Sequence, residues 1–548
     1  MIRFKDMHMT GNAQKNNSAH PFMRLLFLAT LAWGIAIFWI APRPPLIDLP
    51  QHAGQVALLR DLVSGVSPWS GIFRINLWTP YMIGYGLAFP LSFIMPVGAA
   101  LMTILSVAYV AFVLLGTRLR AHFGADPRLD WLFIPAFFGF AYSWGFYTFL
   151  VSTPVVILFV LAVDRYAQRP TLRRGMAAML VGLALLLSHG LAFVFGAAVA
   201  GCLYTLRLHA GGGAWVARWL RGAWPLVVPG IACILLYLVS VRIQSEYWAH
   251  GKLPVTWDIS VMRLPRMLAN AIGDYYTPKI VLGAAMLAML AAPWLLGSRI
   301  NRLHPAAWVL LIVVLVIEFL VPSTMISTAY LYQRFAVFFL PAYALVFLAR
   351  PAGAAAASGN RRSGNRRSGA LPAIGLAALV GGVWLTLACH SLEMRRFADE
   401  AAEFETVLST MAPQQRVLAL TFDDRSAQAN LDMPYRHYAT WYQADKQGLV
   451  DFNFAWFPPQ MVRFKPDQLP AVREGLRGRT FSAAKYPLDP YRYIVIRHTA
   501  PLPATLFDGA PCAPRAVMTQ GSWTLFERSH CPITTAAVRS DERTQAQL

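Results

Sequence analysis

Asp48 and His52 stand four residues apart in PPLIDLPQHAGQVALLRDL (44–62), just past the first strongly apolar run of the chain. That spacing places a carboxylate and an imidazole on one helical face, where they could act as a reactive pair. The same residues also read as a helix start. Asp at the N-cap, Pro in the first turn and Gln51 three residues on make a capping-box-like pattern. His52 would then be an interface histidine. Other polar groups stand at the ends of apolar runs: Trp144 in the corner 144–147, His189 after Ser188, Glu318, and Tyr332 with Arg334 in PSTMISTAYLYQRF. Each has a structural reading beside a functional one. His189 can form a turn before Gly190, Arg334 can snorkel to headgroups, and Glu318 can pair with a neighbouring helix. Ionisable groups at membrane depth are costly, so they tend to face a cavity or a partner.

The elements that must position these groups are membrane spans. The chain has 548 residues, of which 56% are hydrophobic and only 14% charged; soluble domains carry about 25% charged residues. Apolar runs near 25–42, 98–117, 131–147, 148–164, 175–188, 190–207, 223–242, 280–298, 305–321, 335–349 and 370–389 predict about eleven transmembrane helices. The net charge of +21 does not point to nucleic acid. Its arginines fall in short loops, and every basic loop lands on the N-terminal side, which marks that side as cytoplasmic. The count requires that TPYMIGYGLAFPLSFIMP (79–96) does not cross, and its prolines and glycines favour an interfacial or re-entrant segment. No small-residue cleavage site follows the first run, so it is read as a retained span.

These readings divide the chain into a cytoplasmic tail (1–24), a membrane domain (25–389) with a long first outer loop (43–97), a flexible basic loop (350–369) and a soluble domain (390–548). The basic loop holds the repeat SGNRRSGNRRSG, which cannot build a core. In the last domain, 392–411 reads as an amphipathic helix. RVLALTF, YRYIVIR and SWTLFER read as strands of an α/β or α+β fold. An odd number of spans puts this domain outside, as in a bacterial inner-membrane protein facing the periplasm. Cys512 and Cys531 are its two cysteines, and an oxidising compartment permits a disulfide between them. The stretch DFNFAWFPPQMVRF (451–464) reads as core, as a cover over the membrane cavity, or as a partner surface. No metal spacing, phosphate loop or dinucleotide motif is present, so ATP-driven transport and a metal cofactor find no support.

On this topology Asp48, His52, Trp144, His189, Glu318, Tyr332 and Arg334 gather on the outer side, and the cytoplasmic side offers nothing comparable. The arrangement resembles the GT-C superfamily of integral-membrane glycosyltransferases, in particular the protein mannosyltransferase and aminoarabinose transferase type. An uncleaved first span leads into a long outer loop with an acidic residue at its start, Asp48 in PLIDLPQHA. An amphipathic segment, a proline-broken segment, many spans and a soluble outer domain follow. The D-L-P here departs from the paired acids found in many members, which leaves a divalent metal without a ligand set. The resemblance implies a polyprenyl-phosphate sugar donor, used from the outer leaflet, and a lipid, glycan or protein acceptor. Asp48 would then be the catalytic base. From placement alone, Arg334 suits the phosphate. His52 and His189 suit hydrogen bonds to phosphate or sugar, and Tyr332 and Trp144 suit stacking on a sugar. A lipid-linked-saccharide flippase and a non-catalytic scaffold of envelope glycan assembly remain alternatives. The first lacks the internal repeats common in transporters.

Overall fold

A computed structural model describes residues 21–245, 254–273, 279–302, 304–325, 328–349, 367–429, 433–469 and 478–531. The expected cytoplasmic tail and the basic repeat lie almost wholly outside these residues. The helices are α1 (Pro21–Ile37), α2 (Leu49–Val63), α3 (Met82–Leu91), α4 (Val97–His122), α5 (Phe133–Ala136), α6 (Phe140–Trp144), α7 (Tyr147–Gln168), α8 (Leu172–Ser188) and α9 (Gly190–Ala210). They continue with α10 (Trp215–Gly222), α11 (Trp224–Ser245), α12 (Arg263–Ile272), α13 (Lys279–Leu295), α14 (Val309–Leu320), α15 (Phe339–Leu345), α16 (Arg367–Thr410) and α17 (Trp441–Lys446). Among the described residues, α4, α7, α9, α11 and α16 are long and apolar enough to cross a membrane, and shorter apolar helices surround them. The chain is a multi-pass integral membrane protein. At ten residues, α3 rises only about 15 Å, half of a hydrocarbon core of about 30 Å.

Two expected spans are not single helices. Residues 131–147 form the end of a 3-10 turn (Pro127–Leu132) followed by α5 and α6. Residues 335–349 form most of a 3-10 turn (Gln333–Phe338), then α15 and a short strand. Pro135, Gly139 and Gly145 interrupt the first, and Gly145 takes φ +76°. Broken backbone is tolerated at membrane depth only where protein surrounds it. Both segments meet that condition: Phe133, Ile134, Phe137, Phe138, Phe338 and Leu340 are fully buried. An apolar sequence run does not distinguish such a segment from a lipid-facing span.

The arginines of the opposite face are not merely solvated. Asp164, fully buried, accepts from Arg207 Nε at 2.9 Å and Nη2 at 3.0 Å, and its carboxylate lies 2.6 Å from His122 Nε2. Asp126, also fully buried, is held by Arg128 and by Ser298 Oγ at 2.6 Å. The expectation that this side offers nothing comparable is therefore corrected. Buried charges are retained here because each finds a partner.

The helix expected at 392–411 is no separate element. It continues the last span, so that α16 runs unbroken for 44 residues. Strands β1 (Phe73–Ile75), β2 (Arg299–Ile300), β3 (Thr324–Met325), β4 (Thr328–Ala329) and β5 (Phe347–Leu348) lie in the membrane part. The C-terminal domain holds β6 (Arg416–Thr421), β7 (Leu449–Asp451), β8 (Val462–Phe464), β9 (Tyr493–Arg497), β10 (Arg515–Gln520) and β11 (Trp523–Glu527). Five of these form a mixed sheet in the order β10-β11-β9-β6-β7, with β6 parallel to β7 and β9. Cys512 and Cys531 form a disulfide with Cα atoms 5.9 Å apart. The bridge closes a 19-residue separation, so Cys531→Ser should cost about 3 kcal/mol. A lowered midpoint in thermal unfolding of the non-reduced protein checks this; a midpoint equal to wild type refutes it.

The C-terminal domain is bound tightly to the first long loop. β1 pairs antiparallel with β8. Gln51 and Gln55, one turn apart on α2, each clamp the backbone of 452–462. Gln51 Oε1 accepts from Phe454 N at 2.9 Å, and Gln55 Oε1 accepts from Val462 N at 3.0 Å. Thr79 donates to the Pro459 carbonyl. The stretch DFNFAWFPPQMVRF is thus a seam between two parts of one chain, with Phe454 and Trp456 buried in it.

Candidate functional site

Asp48 occupies the N-cap position of α2, yet its side chain makes no capping hydrogen bond. Its backbone N–H donates to the Trp144 carbonyl at 2.9 Å, and its carbonyl accepts from His52 N at 3.1 Å. The loop is thereby fastened to the broken end of α6. Gly145 makes that approach possible: a Cβ there would lie 3.0 Å from Leu49 N and 3.1 Å from Asp48 N. With its backbone fixed and its side chain free of the cap, the Asp48 carboxylate turns elsewhere. It hydrogen-bonds with the Trp144 side chain and lies in the field of Arg334 and Arg436. His437 Nε2 is 3.7 Å from its Oδ1. Burial drives the carboxyl up to about 7, and the two arginines and the Trp144 bond only partly offset this.

The expected partner, His52, points away. Its Nδ1 lies 2.7 Å from Tyr85 Oη, which itself donates to Gln460 Oε1 at 2.6 Å. Its ring packs edge-on against Phe454, with Tyr147 also beside it. Burial holds this imidazole neutral, pushed down to about 3. His52 is therefore part of the seam, and the imidazole beside Asp48 is His437. Burial likewise lowers His437 to about 3.

Arg334 is fastened from behind. Its Nε donates to the Tyr330 carbonyl at 3.0 Å and its Nη2 to the Ala329 carbonyl at 2.7 Å, while the guanidinium covers the Phe146 ring at 4.2 Å. Tyr330 adopts φ +57° and packs at a tilt against Trp144, with centroids 4.1 Å apart. Backbone strain in a bulky residue persists only where the surroundings enforce it. A continuous physical chain thus runs from Arg334 through Tyr330 and Trp144 to Asp48. The charge of Arg334 reaches Asp48, Tyr81 and His189. His189 caps α9 through Nδ1, which accepts from Ala192 N at 3.3 Å. Its remaining Nε2 then carries the proton, and its ring packs on Tyr81 at 5.1 Å and on Phe149 at 5.3 Å. Asp48, Trp144, His189 and Arg334 therefore share one neighbourhood.

Tyr332 and Glu318 do not join it. Tyr332 Oη donates to Asp258 Oδ2 at 2.7 Å, and its ring lies under Arg263 at 4.1 Å. Arg263, fully buried, donates to the Glu318 backbone carbonyl at 2.7 Å. These residues brace the segment before α12 against the end of α14.

Tyr81, Tyr330, Arg436 and His437 escaped sequence reasoning. Tyr330 lies within PSTMISTAYLYQRF, where its neighbours drew the eye. Arg436 and His437 sit in MPYRHYATWY, a stretch of the soluble domain with no span end to mark it. No metal site joins these groups among the described residues. The one His/Cys cluster, Cys512, His530 and Cys531, has both thiols in the disulfide.

No protein-family model matches this sequence, and no curated protein matches it. Among solved structures, the chain is similar to the crystal structure of ArnT from Cupriavidus metallidurans bound to undecaprenyl phosphate. The two share 13% identity with a TM-score of 0.49, over 93% of this chain and 98% of that one.

Proposed function

We propose that this chain is a membrane glycosyltransferase that moves a sugar from a polyprenyl-phosphate donor to an acceptor hydroxyl. Transfer takes place on the face that carries the C-terminal domain; the arginine distribution supports reading that face as the outer one. The observation that carries this reading is the Asp48 carboxylate: released from capping, buried, and set between Arg334 on the membrane side and His437 with Arg436 on the domain side. The loop plan around PLIDLPQHA, with its GT-C resemblance, supplies the donor class.

In the transfer, the acceptor oxygen bonds to the sugar C1 as the bond from C1 to the phosphate oxygen breaks. The acceptor proton passes to Asp48, and the electron pair leaves with the lipid phosphate. Arg334 is placed to meet that growing negative charge, because its backbone bonds hold the guanidinium in advance of the reaction. His189 and Tyr81 add polar groups beside it. Burial of Asp48 serves the base, since a carboxyl near the working pH takes a proton more readily than one near 4.

The test is incubation of the purified chain in proteoliposomes with radiolabelled polyprenyl-phosphate sugars. Label moved to an acceptor supports the transferase. Label moved only across the bilayer makes it a flippase, and no binding makes it a scaffold. The base must be deprotonated to act, so transfer should rise as pH increases through about 7. A rate that is flat from pH 5 to 8 would remove Asp48 from the proton transfer.

A further inference from the structure

One cleft beside Asp48 takes up no substrate in the step above. It opens in the seam between α2 and the C-terminal domain, and Gln51, Thr421, Asp424, Arg436, His437 and Phe452 line it. Its cavity is about 40 Å³, so its floor takes one or two small polar groups and a larger ring stays at the mouth. The cleft leads to Asp48, because His437 belongs to both its wall and the Asp48 contact.

The lining is chemically selective. Asp424 and Arg436 both face the cleft, yet no salt bridge joins them. The acceptor for the Arg436 guanidinium is the Met433 sulfur, 3.5 Å from Nη1. A free anion entering here meets Asp424, and a cation meets Arg436. A neutral group that both donates and accepts satisfies the two together. Gln51 and Thr421 add further polar side chains, and Phe452 supplies an aromatic ring. Phe452 holds φ +56°, in a region where bulky residues are outliers that cluster at functional sites. Its carbonyl is tied to Gln51 Nε2 at 3.4 Å, and its ring lies 5.8 Å from that of His437. A lipid tail would require a lining free of charge, and Asp424 and Arg436 both stand in this one. Paired hydroxyls with an apolar C–H face are the chemistry of a saccharide.

We propose that this cleft is a subsite for the acceptor saccharide, entered from water instead of from the bilayer. The proposal rests on the transferase reading for the word acceptor, and on the cleft alone for the saccharide. Asp424 and Arg436 take the hydroxyls and Phe452 takes the ring face, which delivers a neighbouring hydroxyl towards His437 and Asp48.

The test uses the full chain in nanodiscs and saturation-transfer NMR with the methyl glycosides of glucose, mannose and galactose as probes. At least one should receive saturation in the wild type. Asp424→Asn keeps the shape and should weaken that binding roughly tenfold, equivalent to about 1.4 kcal/mol. Phe452→Gly removes the ring while suiting the positive φ, and should weaken binding by a similar factor with the disulfide and the melting transition retained. No saturation of any methyl glycoside, or equal binding in wild type and Asp424→Asn, overturns the proposal. Glycoside binding lost in the variants, with no sugar transfer by the wild type, sinks the transferase reading and leaves the saccharide subsite standing. Active transfer with an acceptor KM unchanged in Asp424→Asn does the reverse.

Discussion

Asp48→Asn is expected to lower sugar transfer by roughly 10²- to 10⁴-fold, the range for loss of a general base, while expression and unfolding stay near wild type. The geometry sharpens this expectation. An N-cap aspartate is worth about 1 kcal/mol through its side-chain bond to the helix, and here that bond is not made. Asp48→Ala should therefore also fold normally and be as inactive as the Asn variant. A pure capping role predicts the opposite pattern, with Asn silent and Ala destabilising. The Asn variant removes the charge and keeps the shape beside Trp144, so it isolates proton acceptance from packing. Wild-type turnover by a well-folded Asp48→Asn protein would end the base assignment. Asp48 lies in the field of two arginines, so a fall in activity accompanied by a lost melting transition would instead reveal a charge needed for folding.

Asp164→Ala is expected to produce the largest loss of stability of any single change on the opposite face. Asp164 is fully buried at the end of α7 and joins Arg207 of α9, His122 of α4 and Gln168. Removing it strands the Arg207 guanidinium beside an emptied site; breaking a fully buried pair costs about 3–5 kcal/mol, and the partial exposure of Arg207 brings the expected loss below that range. Asp164→Asn keeps two hydrogen-bond acceptor directions and should lose less. Thermal unfolding in one detergent, read for both variants, checks the order. If Asp164→Ala melts with the wild type, the network is ornamental and three helices are held together by packing alone. Transfer at the distant face should persist in whatever fraction remains folded, which separates this variant from Asp48→Asn.

The sequence made some of this legible for plain reasons. Long uniform apolar runs such as 98–117 and 190–207 can only be helices in a bilayer, and the structure has α4 and α9 there. The strands around RVLALTF, YRYIVIR and SWTLFER were marked by short β-rich runs, and they pair as β6, β9 and β11. Asp48 stood out because a lone acid follows the first span. What stayed hidden had physical causes. Residues 131–147 have a span's composition but are broken by single prolines and glycines, and burial in protein, which sequence does not display, decides that they need not be helical. His437 meets Asp48 across 389 positions of sequence, and no local pattern announces so distant a contact. Tyr332 and Glu318 were grouped with Arg334 by nearness in sequence and by side of the membrane. The structure separates them through Arg263 and Asp258, which arrive from another loop.

The unbroken α16 has a consequence for how the two halves of the molecule are indexed to each other. Its 44 residues extend about 66 Å, more than twice the thickness of a hydrocarbon core of about 30 Å. Past Pro372, near its start, it is a shaft with no further proline to kink it. Each residue of a helix advances the azimuth by about 100°, so the angular setting of the C-terminal domain about the membrane normal is written in the residue count of that shaft. The clamps of Gln51 and Gln55, the β1–β8 pairing and the approach of His437 to Asp48 all depend on that one phase angle.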